Sequence, residues 1–148
     1  MDRTNTVGTH PARLAAMVVA AVFLLVGILG FIPGATTDYD GMTFAGHEST
    51  AMLLGVFHVS ILHNIVHLLF GVAGIVMART AAGATSFLIG GGVVYLVLWL
   101  YGLVIDHDSA ANFVPVNGAD NWLHLVLGVG MAGLGLALRR TPATRRTA

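Results

Sequence analysis

The chain has 148 residues, of which 56% are hydrophobic and only 9% are charged. Soluble domains carry about 25% charged residues, so this composition excludes an ordinary soluble globule. The chain has no Cys and a formal net charge of +0. These values argue against a disulfide scaffold, a thiol redox enzyme and a nucleic-acid binder that relies on a basic patch.

Four apolar segments predict four transmembrane helices, because a helix needs about 20 apolar residues to cross the hydrocarbon core. The predicted fold class is an all-α integral membrane protein, with residues 1–148 forming one four-helix domain. Pro33 ends the first helix, and Ser60 and Asn117 are good N-cap residues for the second and the fourth. The helices are predicted at about 12–32, 61–78, 84–105 and 118–138, with outer loops at 33–60 and 106–117 and a cytoplasmic tail at 139–148.

The charged residues predict the orientation in the membrane. All seven basic residues are Arg and fall on one predicted side, while six of the seven acids fall in or beside the two opposite loops. By the positive-inside rule, the N- and C-termini are cytoplasmic and the chain is a multi-pass protein of the cell inner (plasma) membrane.

The second and fourth helices are two copies of one motif, N-x-x-H-L-x-x-G-V. A shift of 57 residues aligns 64–72 with 121–129. Both copies run from outside to inside, so the chain is predicted to consist of two helical hairpins repeated in parallel. The 4-3-4-3 spacing of the polar and small residues favours a left-handed bundle.

Residues at this 4-3-4-3 spacing form a heptad stripe along one face of each of the two helices. Polar residues occupy the outer part of each stripe, and small residues occupy the deeper part. In lipid, helices associate through close backbone contact at small residues and through hydrogen bonds, so the stripes are expected to face protein. His67 and His124 lie about 10 Å below the outer helix ends. We expect an outward-facing polar layer that binds a small ligand through six residues: Asn64, His67, Trp99, Asp106, Asn121 and His124.

Three interpretations of the histidines stay open. Imidazoles on facing helices can hold a haem iron, with His67 and His124 as axial ligands. His63 lies four residues before His67 on the same helix face, so His63, His67 and His124 could also hold a metal ion. The interpretation we favour over both has His67 and His124 hydrogen-bonded to neighbouring helices. It requires no cofactor, so haem is the less favoured alternative.

Three segments carry a resemblance to a known family. They are 63–74 (HNIVHLLFGVAG), 90–102 (GGGVVYLVLWLYG) and 112–130 (NFVPVNGADNWLHLVLGVG). In this order they resemble the domain-of-unknown-function 4383 family of small bacterial four-helix membrane proteins, over about residues 55–135. The resemblance implies a four-helix membrane fold and carries no activity.

No nucleophile-and-base set can be assembled from the Ser, Thr and His residues, so an enzyme is not expected. We predict a non-enzymatic accessory or small-ligand-binding protein. One alternative is haem or metal binding in electron transfer. A second is an oligomeric small transporter, because four Gly-rich helices pack too closely for a wide pore within one subunit. The expected partners are the lipid bilayer and either a second copy or another membrane protein, and not nucleic acid.

Overall fold

The structure is a computed structural model that describes residues 10–139, and the protein is mostly helical. Its four helices are α1 (Pro11–Leu29), α2 (Ile61–Met77), α3 (Ala81–Val104) and α4 (Gly118–Leu138). By length and composition α1, α3 and α4 can cross a membrane, and α2 is a shorter apolar helix of 17 residues. The predicted tail lies outside the described residues, apart from Arg139.

Side chains cap the starts of three helices. Ser60 Oγ accepts the His63 amide at 3.1 Å before α2, and Asn117 forms a capping box with Asp120 before α4. Thr80 Oγ1 accepts an amide of the first turn of α3 at 3.0 Å. This cap explains why α3 begins three residues before its predicted start, because the threonine satisfies a free amide of the helix end.

The first helix ends three residues earlier than predicted. The Thr36 hydroxyl is buried and donates to the carbonyls of Leu29 and Gly30, at 3.1 Å and 3.2 Å. Carbonyls at a helix C-terminus need such partners once the helix stops. Turns then lead to Pro33, which cannot continue a helix.

The loop between α1 and α2 contains a small sheet, so the fold is mostly rather than wholly helical. The strands β1 (Thr36–Thr37), β2 (Met52–Leu53) and β3 (Phe57–His58) pair antiparallel in that order. At the hairpin tip Leu54 and Gly55 both have positive φ, 54° and 68°. Strands of two residues are too short to show alternating hydrophobicity, which is why the sequence pattern does not reveal them.

Glycines bring α1 against α2 and α3 against α4. A Cβ at Gly71 would lie 2.9 Å from the Ala20 carbonyl oxygen, and one at Gly128 would lie 3.0 Å from the Leu96 backbone nitrogen. The helix backbones are therefore in direct contact, as expected where lipid supplies no hydrophobic drive for association.

The two helix pairs also make a matching polar contact. Asn64 of α2 lies against Gly30 of α1, and Asn121 of α4 lies against Gly102 of α3. Both contacts are so close that a Cβ on either glycine would overlap the asparagine amide. The same contact thus occurs once in each pair.

An apolar core fills the half of the bundle where α1 begins and α2 ends. The ring centroids of Phe23 and Phe70 are 4.7 Å apart, and those of Phe70 and Phe87 are 5.1 Å apart. Leu88 and Met131 are buried beside them. This packing leaves the outer half of the bundle as the place where polar side chains meet.

The two ends of the bundle differ in charge. Arg13, Arg79 and Arg139 lie at one end, where Arg13 Nε donates to the Ala78 carbonyl at 3.0 Å. The acids of the described residues lie in or beside the two loops at the other end: Asp38, Asp40, Glu48, Asp106, Asp108 and Asp120.

We predict that Gly128→Ala destabilises the protein. The added methyl group would meet Leu96 at 2.8 Å, and overpacking of this kind costs about 1–3 kcal/mol. Gly130→Ala is the matched control on the same helix, since nothing lies within 4 Å of its Cβ position. Thermal unfolding in detergent, followed by circular dichroism, should show a lower midpoint for Gly128→Ala alone. Equal midpoints for the two variants would contradict the close approach of α3 and α4.

Candidate functional site

Four side chains meet in the half of the bundle that lies away from the arginines. They are His63 and His67 of α2, Tyr95 of α3 and His124 of α4, and we refer to them as the central cluster. All four line two cavities, one on each side of the cluster. The cluster with its two cavities forms a chamber among the four helices.

The two cavities are small and differ in their walls. We call these cavities lobes and name each by the helices beside it. The α2–α3 lobe has a volume of about 130 Å³, and the α1–α4 lobe has a volume of about 100 Å³. Besides the central cluster, the α2–α3 lobe is lined by Val66, Leu98, Tyr101, Phe113, Val114 and Val116. The α1–α4 lobe is lined by Val26, Leu29, Leu53, Leu54, Phe57, Val59, Asp120, Leu123 and Leu127.

The lobes correspond to each other through the sequence repeat. Val66 in one lobe and Leu123 in the other are 57 residues apart, and so are Val59 and Val116. The repeat therefore relates the two lobes to each other, because α2 corresponds to α4 and α1 corresponds to α3. The exception is Asp120, a carboxylate that lines only the α1–α4 lobe.

Ring contacts hold the central cluster together. The His63 and His67 ring centroids are 4.7 Å apart on consecutive turns of α2. Tyr95 meets His124 edge-on, with centroids 5.2 Å apart and an interplanar angle of 68°. Phe23 of α1 lies 5.6 Å from His67 and 5.4 Å from Tyr95, centroid to centroid. Phe23 thus joins the rings of the central cluster to the apolar core.

The hydrogen bond of His67 fixes the tautomer of its neutral ring. His67 Nδ1 lies 3.0 Å from the His63 carbonyl oxygen. Because a carbonyl only accepts, Nδ1 carries the proton and Nε2 keeps a lone pair. This bond lies within α2, so it does not join two helices as the favoured sequence interpretation requires.

Two other ring nitrogens of the cluster have no partner. Nδ1 of His63 and Nδ1 of His124 are buried and make no hydrogen bond to any of residues 10–139. Their side chains are only 5% and 6% exposed. Most buried polar atoms are paired, and an unpaired one costs about 1–3 kcal/mol. The chamber therefore holds unused hydrogen-bonding capacity.

Asn64 and Asn121 lie away from the chamber, in the contacts with Gly30 and Gly102. Neither asparagine lines either lobe. Their Oδ1 atoms are buried and unpaired within the part of the chain that the structure describes. The predicted polar layer is thus divided, with histidines at the centre and asparagines between the helices of each pair.

Trp99 and Asp106 also lie outside the chamber. Trp99 is half-buried on α3 and does not line either lobe. Asp106 is exposed, and its Oδ1 accepts the Asp108 amide at 3.0 Å within a turn. The prediction for Asp106 assumed that the heptad spacing of the third helix extends to this residue. Because α3 ends at Val104, that spacing no longer applies there.

Tyr95 is a chamber residue that the sequence prediction missed. It is 5% exposed and lies on the same heptad stripe of α3 as Gly92 and Gly102. Phe23 occupies the matching position of α1. The heptad stripe could have identified both residues. A stripe residue faces the neighbouring helices, so one at the depth of the histidines is expected to lie beside any chamber there.

The sheet borders the α1–α4 lobe, where Leu53 and Phe57 are lining residues. Asp120 Oδ2 accepts the amides of Asn117 at 3.0 Å and of His58 at 2.9 Å. Asn117 Nδ2 donates to the Val56 carbonyl at 2.8 Å, and His58 Nε2 contacts the Ser49 carbonyl oxygen. These bonds fasten the long outer loop to the start of α4.

The metal interpretation gains no support from this arrangement. Among residues 10–139, no three His, Cys, Asp or Glu side chains are grouped so that they could hold a metal ion. His63, His67 and His124 share the chamber, but they are not disposed as a three-ligand set.

We predict that the neutral ring of His67 carries its proton on Nδ1. Two-bond proton–nitrogen correlation spectra of protein labelled with nitrogen-15 in its histidines should show this tautomer, and His67→Gln should remove the assigned signals. A proton on Nε2 would contradict the hydrogen bond to the His63 carbonyl.

Comparison with known proteins gives one match. The family described as "Domain of unknown function (DUF4383)" matches residues 13–137. The curated proteins and the solved structures give no match to the chain.

Proposed function

The chain belongs to the DUF4383 family over residues 13–137, and from that premise we propose that it is a non-enzymatic membrane protein that binds a small ligand in the chamber. The family description names no activity, so the proposal depends on the geometry of the chamber.

The unpaired nitrogens of His63 and His124 are the observation that carries this proposal. Binding sites for small molecules are mostly apolar cavities with a few polar groups that orient the ligand. The chamber has this composition, since the ring nitrogens stand among valines, leucines and aromatic rings. A ligand with a polar edge that reaches these nitrogens would supply hydrogen bonds that no described residue supplies.

The lining of the lobes supports binding rather than catalysis or passage. Among residues 10–139, no Ser or Thr lines either lobe, so these described walls offer no serine or threonine nucleophile. Toward the arginine-bearing end, the packed rings of Phe23, Phe70 and Phe87 fill the bundle beneath the chamber. Transport would therefore need a path between subunits, as the sequence analysis also argues.

The size of the lobes favours a small ligand over haem. An apolar cavity of about 150 Å³ holds one benzene molecule, and the lobes measure about 130 Å³ and 100 Å³. A haem carries four pyrrole rings in one plane, so the helices would have to separate to admit it between His67 and His124.

The proposal includes the arrangement in the membrane. We propose four crossing helices in two parallel-repeated hairpins, with cytoplasmic termini in the inner membrane. The duplicated glycine contacts support the repeat, and the arginines at one end support the orientation by the positive-inside rule. The left-handed crossing stays a prediction from the heptad spacing.

Single cysteines test this topology, because the natural chain has none. In intact cells, a membrane-impermeant maleimide should label Asp108→Cys at the outer face. Arg79→Cys, exposed at the other end, should react only after permeabilisation. Labelling of Arg79→Cys in intact cells would contradict the orientation.

The chamber is tested by the double variant His67→Leu/His124→Leu in detergent-purified full chain. The probes are a panel of uncharged monocyclic compounds, screened by ligand-observed NMR. We expect saturable binding to the natural sequence and its loss in the double variant, with helix content retained. The matched control is Val72→Leu/Val129→Leu, a pair at exposed and repeat-related positions, which should keep the binding.

Two results would contradict the proposed function. One is the absence of saturable binding to the natural sequence. The other is unfolding of the double variant while the control pair stays folded, because the histidines would then serve packing rather than a ligand.

A further inference from the structure

The two lobes of the chamber differ in charge, and this difference selects one of them for a neutral ligand. Asp120 lines the α1–α4 lobe, whereas the described residues that line the α2–α3 lobe are histidine, tyrosine and apolar side chains. The α2–α3 lobe is also the larger, at about 130 Å³. An uncharged molecule therefore meets no carboxylate in the α2–α3 lobe.

Histidine and tyrosine side chains bring the polar atoms to this lobe. His67 Nε2 has a lone pair because Nδ1 donates to the His63 carbonyl, so His67 offers an acceptor to a hydroxyl or amino group. The rest of the lining is mostly apolar and aromatic, with Leu98 and Phe113 among it. A matching ligand has one polar edge that donates a hydrogen bond and an apolar remainder.

The size of the lobe limits this remainder to about one six-membered ring, by comparison with the cavity of about 150 Å³ that holds benzene. An aromatic ring also suits walls made of rings, because edge-on and offset contacts between aromatic groups are favourable. A phenol satisfies both requirements, since it adds a donating hydroxyl to a single flat ring.

The rim of the lobe faces the apolar surface of the bundle. Val66 and Leu98 line the lobe and are 42% and 40% exposed. They lie on helices whose outward faces are apolar, which in the proposed membrane arrangement contact the lipid chains. A ligand that enters past these two residues comes from the outer leaflet, so it must dissolve in lipid.

We propose that the α2–α3 lobe binds the ring of an uncharged, lipid-soluble phenol, whose hydroxyl donates to His67 Nε2. This inference rests on the proposed function and specifies its ligand class, its lobe and its route of entry.

The test uses 4-fluorophenol and 4-fluorotoluene, titrated into the full chain in lipid nanodiscs and followed by fluorine NMR. The two probes have similar size, but only the phenol donates a hydrogen bond. We expect 4-fluorophenol to bind about tenfold more tightly, because one hydrogen bond to a ring nitrogen is worth about a factor of ten. His67→Leu should remove this difference, so that the two probes bind with equal affinity.

Val66→Trp tests the route of entry. The larger side chain should obstruct the rim of the α2–α3 lobe and abolish saturable binding of both probes. Val72→Trp is the matched control, because Val72 is exposed on the same helix and does not line the lobe. It should bind both probes as the natural sequence does.

The outcomes separate this inference from the proposed function. Equal affinity for the two probes, with loss of both in Val66→Trp, would overturn the phenol inference and leave the chamber as a binding site. Binding that survives Val66→Trp but is lost in His67→Leu/His124→Leu would overturn the assignment to this lobe alone. Absence of saturable binding by either probe would overturn the phenol inference, and failure of the whole monocyclic panel would overturn the proposed function as well.

Discussion

Direct backbone contact at glycines is the constraint on which the rest of this structure depends. At Gly71 and at Gly128 there is no room for a side chain, because a neighbouring helix lies within about van der Waals distance of the backbone. Such contact is what holds helices together when lipid offers no hydrophobic drive. It fixes the helices of each pair in register, and the register decides which outer residues face the middle of the bundle.

The chamber follows from this register. His67 and His124 lie one turn from the two glycines, on the side away from the arginines. The packing of the helix pairs places both rings in the same two lobes as Tyr95. Below this level Phe23 and the apolar core fill the bundle. Polar side chains are thus gathered at one depth with an apolar floor beneath them. A small ligand with one polar edge is the chemistry that such a setting accommodates best.

The sequence predicts the parts of this arrangement that arise from periodicity. The heptad stripe predicts that Gly71, Gly128 and the histidines one turn away are buried, because a helix keeps this spacing throughout its length. The sequence misplaces Asp106 because α3 has already ended before this residue. It misses the sheet because each strand has only two residues. Within residues 10–139, His67 and His124 make no hydrogen bond to another helix. This depends on the orientation of their rings, which sequence spacing does not specify.

The most direct test of the central claim is the proximity of two rings from different helices in a lipid bilayer. Solid-state NMR of protein with labelled histidine and tyrosine rings should show a through-space correlation between Tyr95 and His124, whose centroids are 5.2 Å apart. Tyr95→Phe should remove the tyrosine signal of this pair and so assign it. A spectrum without that correlation, from a protein that remains helical, would contradict the chamber.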